Sequence, residues 1–307
     1  MNKKISPKIS ALLVIAAGVL WGTISIFINE LDEYGLDSME MGVLRTGVCV
    51  VILFFLILLY KPSLFKIHIK DIWMFIGTGL LSLVFFSFCY FTTILNASPS
   101  VAVSLLYTSP IWVMLFSAVL FKEKLTAQKI IAIPITVLGC ALTTGIIGTG
   151  TALTPKIIIT GILSGIGYAL YSVFGRYATE KYNSLTITFY TFLFAFFGFL
   201  CFTKPAELLH KATADSRVIL FSVLIGIICS FLPYIFYTIG LNSMETSVAA
   251  ILVAVEPLVG CLIGITVFKD SLSASKITGI ILILGSIIIL NLKLKGKNCD
   301  EKKKIRN

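Results

Sequence analysis

One carboxylate, Glu256, stands inside an apolar run of 23 residues, Thr246 to Phe268, and Pro257 follows it at once. At the rise of an α-helix this places Glu256 about 15 Å from the start of the run, near the middle of a bilayer. An ionised carboxylate at that depth costs about 2.5–3.5 kcal/mol, so it must meet water, a partner or a ligand. Two chemistries fit. Glu256 exchanges protons or binds a substrate's ammonium group, or it stays protonated and bonds a backbone carbonyl freed by Pro257 or by a neighbouring kink.

Arg45 is the other charge well inside an apolar run. Snorkelling to the nearer interface, or pairing with Glu40 or Glu30, makes it a structural charge. Eight aromatic residues lie at comparable levels: Trp21, Tyr90, Tyr107, Trp112, Tyr168, Tyr171, Tyr234 and Tyr237. They either line a path for an amphipathic solute or pack in the interior and at the interfaces. Trp21, Tyr107, Tyr168, Tyr171 and Tyr237 join Glu256 and Ser109 as candidate residues for substrate or coupling ion.

Enzymatic chemistry finds no foothold. His68 and His210, the two histidines, both fall in polar connectors, which leaves no His-based metal cluster within the apolar segments. There is no phosphate-binding glycine loop, no nucleophile elbow and no H-E-x-x-H. Six of the seven cysteines lie in apolar runs and none forms a C-x-x-C pair, so they read as small hydrophobes. The expectation is a protein with no catalytic residues, no metal and no cofactor, driven by an ion gradient or by its substrate's own gradient.

The elements that hold these residues are membrane helices. Of the 307 residues, 57% are hydrophobic and 13% charged, where a soluble domain carries about a quarter charged. Ten apolar segments approach the ~20 residues that cross a bilayer, at 10–29, 39–60, 72–94, 100–121, 127–147, 156–178, 185–203, 217–240, 246–268 and 276–292. They lack the alternation of a membrane barrel, so they are helices. The net charge of +10 sits in connectors and the tail, without the aromatic–basic interleaving that binds nucleic acid. Eighteen basic residues fall on the side of the N-terminus and six on the other, which predicts both termini in the cytoplasm. The lysine-rich tail, 293–307, carries too little apolar surface to predict ordered structure.

The chain repeats itself. An ungapped shift of 147 residues matches 13 of 34 positions between Ser100 and Ile133, sets Pro110 on Pro257, and sets Ser109 on Glu256. The same shift sets Gly18 on Gly165, Trp21 on Tyr168 and Ser25 on Ser172. Pro110 and Pro257 are therefore candidate bends in two equivalent helices. Glycines four apart (Gly18 and Gly22, Gly161 and Gly165, Gly260 and Gly264) predict close helix packing, with dimerisation as the second reading. The halves are 1–147 and 156–292, joined by a Gly- and Thr-rich linker at 148–155. Five spans per half is an odd number, so the second half enters the membrane inverted.

Trp21-Gly22, Arg45, the alanine-bearing segments that run into Pro110 and Glu256-Pro257, and the Phe-x-Glu-x-Leu-Thr turn at 121–126 carry a resemblance. The sequence resembles the drug/metabolite transporter superfamily, in particular proteins built of two EamA domains. The turn's second copy, Phe268 to Ser273, departs from the pattern with Asp270 in place of Glu, and Ser109 holds the place of Glu256 in the first half. The resemblance implies an all-helical transporter with a central cavity lined by helices 1, 3, 4, 6, 8 and 9. It implies a small-molecule substrate, a lipid bilayer as surroundings, and a monomer or homodimer. The leading expectation is alternating-access export of an amphipathic, amino-acid-like metabolite across the cytoplasmic membrane, with proton coupling at Glu256. Drug efflux, cofactor or nutrient uptake, and a channel or other non-transporting membrane protein are the alternatives.

Overall fold

Capping residues and apolar length set where the helices begin and end. A computed structural model describes residues 5–97, 99–144, 154–269 and 273–304, and among these there is no strand. We number the apolar helices α1 (Pro7–Asp32), α2 (Ser38–Tyr60), α3 (Ile69–Asn96), α4 (Val101–Leu120), α5 (Ala127–Thr143), α6 (Pro155–Thr179), α7 (Ser184–Leu200), α8 (Ser216–Leu241), α9 (Thr246–Thr266) and α10 (Ala274–Lys304). Ser6, Asp37, Thr154, Asn183 and Asp215 cap α1, α2, α6, α7 and α8 by accepting backbone N–H groups of the first turn.

Seven of these helices are long and apolar enough to cross a membrane: α1, α2, α3, α4, α6, α8 and α9. An eighth, α7, qualifies together with a short helix, Pro205–Ala214, from which it is bent by 106°. α5 and the apolar part of α10 are shorter, and the expected end of the fifth span at 145–147 lies outside the described residues, as do most of the linker and Asp270. The polar tail differs from expectation, because α10 runs on as helix through Lys304. Extending a formed helix escapes the cost of nucleation, and Leu, Lys and Glu are good helix formers.

Exchanging the two halves maps the helix contacts onto one another. α1 lies along α8 and α6 along α3, while α2 packs on α7 and α5 on α10. Small residues permit the closest approaches. A Cβ on Gly18 would stand 2.8 Å from the Val253 carbonyl oxygen, and one on Gly165 would stand 3.2 Å from that of Leu106. Leu106 and Val253 are themselves 147 residues apart, so the repeat persists at single contacts. The spacings at Gly18 and Gly22 and at Gly161 and Gly165 thus serve packing within the chain, whereas Gly260 and Gly264 line a cavity.

Two irregularities also recur. α3 widens to a π-helical stretch at Gly77–Val84 and α8 at Ile227–Phe231, and the shift of 147 lays residues 80–84 on 227–231. α4 breaks between Leu106 and Ser109, and α9 between Leu252 and Val255. Pro110 and Pro257 sit at the start of each second segment, where their missing N–H groups leave the Leu106 and Val253 carbonyls without their usual donors. Those two carbonyls are the ones that Gly165 and Gly18 approach.

A candidate carrier site

Breaking α9 at Val253 sets Glu256 in the first turn of the segment that follows, at the floor of a cavity of about 1140 Å³. The Tyr168 hydroxyl, from α6, donates to Glu256 Oε2 at 3.0 Å. Tyr107, in the break of α4, lines the cavity with it. Trp21, Tyr90 and Tyr107 wall the deep end, Asn29 and Thr92 add polar groups, and Ser25 lines the cavity with its hydroxyl buried. Among the described residues, Glu256 is the one charged group lining that deep end. Asp32, Asp37 and Lys276 lie toward the mouth, which opens on the side of the acidic connector between α1 and α2.

The sequence candidates therefore divide. Glu256, Trp21, Tyr107 and Pro257 line the cavity, and Tyr168 reaches it through its bond to Glu256. Ser109 and Pro110 are buried beside the break in α4 and do not line it. Tyr171 and Tyr237 lie between α6 and α8, where Tyr171 shares a hydrogen bond with Thr238 at 2.9 Å and Tyr237 one with Ser172 at 2.7 Å. The expected lining by six helices is thus partial: α1, α3, α4 and α9 form the deep walls, while α6 and α8 are packed together on the opposite side. Of Arg45's expected partners, Glu40 is engaged elsewhere, accepting from Lys211 Nζ at 2.8 and 3.0 Å and from the Asp37 N–H.

That opposite side is sealed by residues the sequence marks only as a turn. Glu123 accepts the Thr246 N–H at 2.6 Å, the Ser247 N–H at 3.3 Å and the Ser247 hydroxyl. A carboxylate so placed caps the start of α9 and faces the positive end of its dipole. Lys129, with its side chain 3% exposed, pairs with Glu123 at 3.4 Å and Glu245 at 2.7 Å. Burial pushes the Glu123 carboxyl up, but the Ser247 hydroxyl, the Thr246 N–H and Lys129 outweigh it and hold it below the usual carboxylate range. Arg176 adds a donor to the Leu241 carbonyl at 2.8 Å. The local cue for Glu123 was present: an acid three residues after the end of α4, repeated 147 residues later as Asp270.

A cavity that enters a helical membrane protein from one face and stops at a polar floor, with the other face latched, fits one state of a transporter. The sequence profile of the EamA-like transporter family matches residues 8–145 and again 155–292. The chain belongs to this family. It is 27% identical over 289 residues to an uncharacterized transporter of Archaeoglobus fulgidus, covering 90% of this chain and 94% of the relative. It is 25% identical to the uncharacterized transporter YxxF of Bacillus subtilis, over 92% of this chain and 90% of that one. A solved crystal structure shares the fold with a TM-score of 0.77 at 18% identity, covering 92% of this chain and 96% of that one. The protein is a multi-pass membrane transporter and not an enzyme.

Proposed function

We propose that the protein exports a small amphipathic solute bearing a cationic amine, amino-acid-like in size, across the cytoplasmic membrane by alternating access. The observation that carries this reading is the floor of the cavity, where one carboxylate accepts from a phenol hydroxyl and is walled by aromatic faces. An ammonium group replaces the water lost by Glu256 and lies against the faces of Trp21 and Tyr90 by cation–π attraction. An anion would meet an uncompensated negative charge there. Pro257 and Pro110 serve as the bends that bring the substrate residues of α9 and α4 to mid-membrane.

The halves 1–147 and 156–292 act as inverted repeats, so the closed face opens when the open one shuts. The excess of lysine and arginine on the latched side supports assigning that side, and both termini, to the cytoplasm, and on that assignment the conformation is outward-facing. Glu256 takes a proton from outside as the substrate's ammonium group leaves, which couples export to proton entry. Binding tests the reading first. Purified protein titrated with aromatic amines should gain thermal stability, their N-acetylated or carboxylate-only analogues should give none, and Glu256→Gln should abolish the difference. Equal stabilisation by amine and anion would refute it.

A further inference from the structure

Three contacts close the space between α6 and α8. The Ser172 and Tyr237 hydroxyls share a hydrogen bond of 2.7 Å, the Tyr171 and Thr238 hydroxyls share one of 2.9 Å, and Arg176 donates to the Leu241 carbonyl at 2.8 Å. Moving each partner back by 147 residues turns these pairs into Ser25 with Tyr90, Ile24 with Phe91, and Asn29 with Ile94. Every one of those six residues lines the open cavity. The contacts that shut one face thus have their counterparts standing apart across the other.

Ser25 adds an independent observation. Its Oγ is buried with no hydrogen-bond partner, although its counterpart Ser172 is bonded to Tyr237. A buried hydroxyl left unpaired is unfavourable, and the remedy here is Tyr90, across the cavity. The scaffold allows the movement, because the long contacts of α1 with α8 and of α3 with α6 are the same in both halves. When α1 moves toward α3, α8 and α6 are carried apart.

We infer that the hydroxyl pairs Ser172–Tyr237 and Ser25–Tyr90 are alternatives that set the balance between the two access states, the first holding the face closed here and the second closing the other. Asn29 can donate to the Ile94 carbonyl as Arg176 does to that of Leu241. The two sets differ in strength. The set closed here has a charged donor and the Tyr171–Thr238 bond, where the other has a neutral amide and the apolar pair Ile24 and Phe91. Charge-assisted bonds are the stronger kind, so the open-mouthed state seen here is the resting one. The inference rests on the alternating-access reading above.

A thiol introduced by Leu241→Cys tests it in the full-length protein in lipid nanodiscs. Leu241 is fully buried and lies against Gly175 between α6 and α8, so modification by a membrane-impermeant maleimide reports opening of that face. Mass spectrometry resolves this site from Cys261, which lines the cavity and reports the other face. In this background Ser172→Ala and Tyr237→Phe should raise the labelling rate at 241 about three- to tenfold, as expected for one hydrogen bond. Ser25→Ala and Tyr90→Phe, on the far side of the membrane, should lower it by a similar factor. A merely local loosening at Ser172 would raise the rate too, but would leave it insensitive to Ser25 and Tyr90. No change with Ser25→Ala and Tyr90→Phe in folded protein would overturn the inference. If Tyr90→Phe does not fold, Ser25→Ala, which removes one oxygen, carries the test alone. Labelling needs no solute. Opposite shifts without solute flux would therefore sink the transport chemistry and leave the exchange standing, and flux without opposite shifts would do the reverse.

Discussion

Glu256 meets residues from three other helices: it accepts from Tyr168 of α6, and Tyr107 of α4 and Trp21 of α1 line the cavity with it. Sequence reasoning could place the carboxylate at mid-membrane, and the repeat could single it out by setting Ser109 beneath it. It could not say which phenol holds it, since eight aromatics share that depth and helix rotation decides their fates. Tyr171 and Tyr237 went to the sealed side for that reason. Truncating one partner of a buried, hydrogen-bonded charge pair costs several kcal/mol. Glu256→Gln should therefore weaken amine binding on the order of 30-fold or more and flatten the pH dependence of transport. Tyr168→Phe, which removes one hydrogen bond, should weaken it about three- to tenfold without flattening that dependence. Isothermal titration of both variants across pH separates the effects. Equal losses in the two would mean that Glu256 only braces the bent helix.

At the scale of elements, helix ends were legible because caps and apolar length are local properties. The expected segments 39–60 and 217–240 appear as Ser38–Tyr60 and Ser216–Leu241. The π-helical stretches were not legible, because they leave no composition signature and arise from how α3 and α8 pack. Two element-scale expectations follow. A Cβ on Gly165 or Gly18 meets backbone carbonyls that cannot yield, so Gly165→Leu and Gly18→Leu should each lower thermal stability by about 1–3 kcal/mol or prevent folding. Gly285, which has nothing within 4 Å of an added Cβ, is the control. The latch at Glu123 has a pH window. Its carboxyl titrates below the ordinary carboxylate range in the folded protein, so its contribution is complete above about pH 4.3 and is lost as pH falls below that. Melting temperature should stay flat from pH 8 to 5 and then drop, and Glu123→Gln should be less stable at pH 7 with a shallower acid limb. A parental stability that rose toward pH 4 would contradict the latch.

For the whole molecule, the repeat explains why the sequence could not say which face is open. Both closures are written into the chain, one as Ser172 with Tyr237 and the other as Ser25 with Tyr90, and only their difference in strength selects the resting state. A carrier built this way moves solute only as fast as the two closures exchange. Counterflow distinguishes it from a channel. Proteoliposomes loaded with millimolar unlabelled aromatic amine should take up trace labelled amine above its equilibrium level, transiently, and several-fold faster than unloaded vesicles. Uptake that only equilibrates, indifferent to solute on the far side, would contradict alternating access at this site.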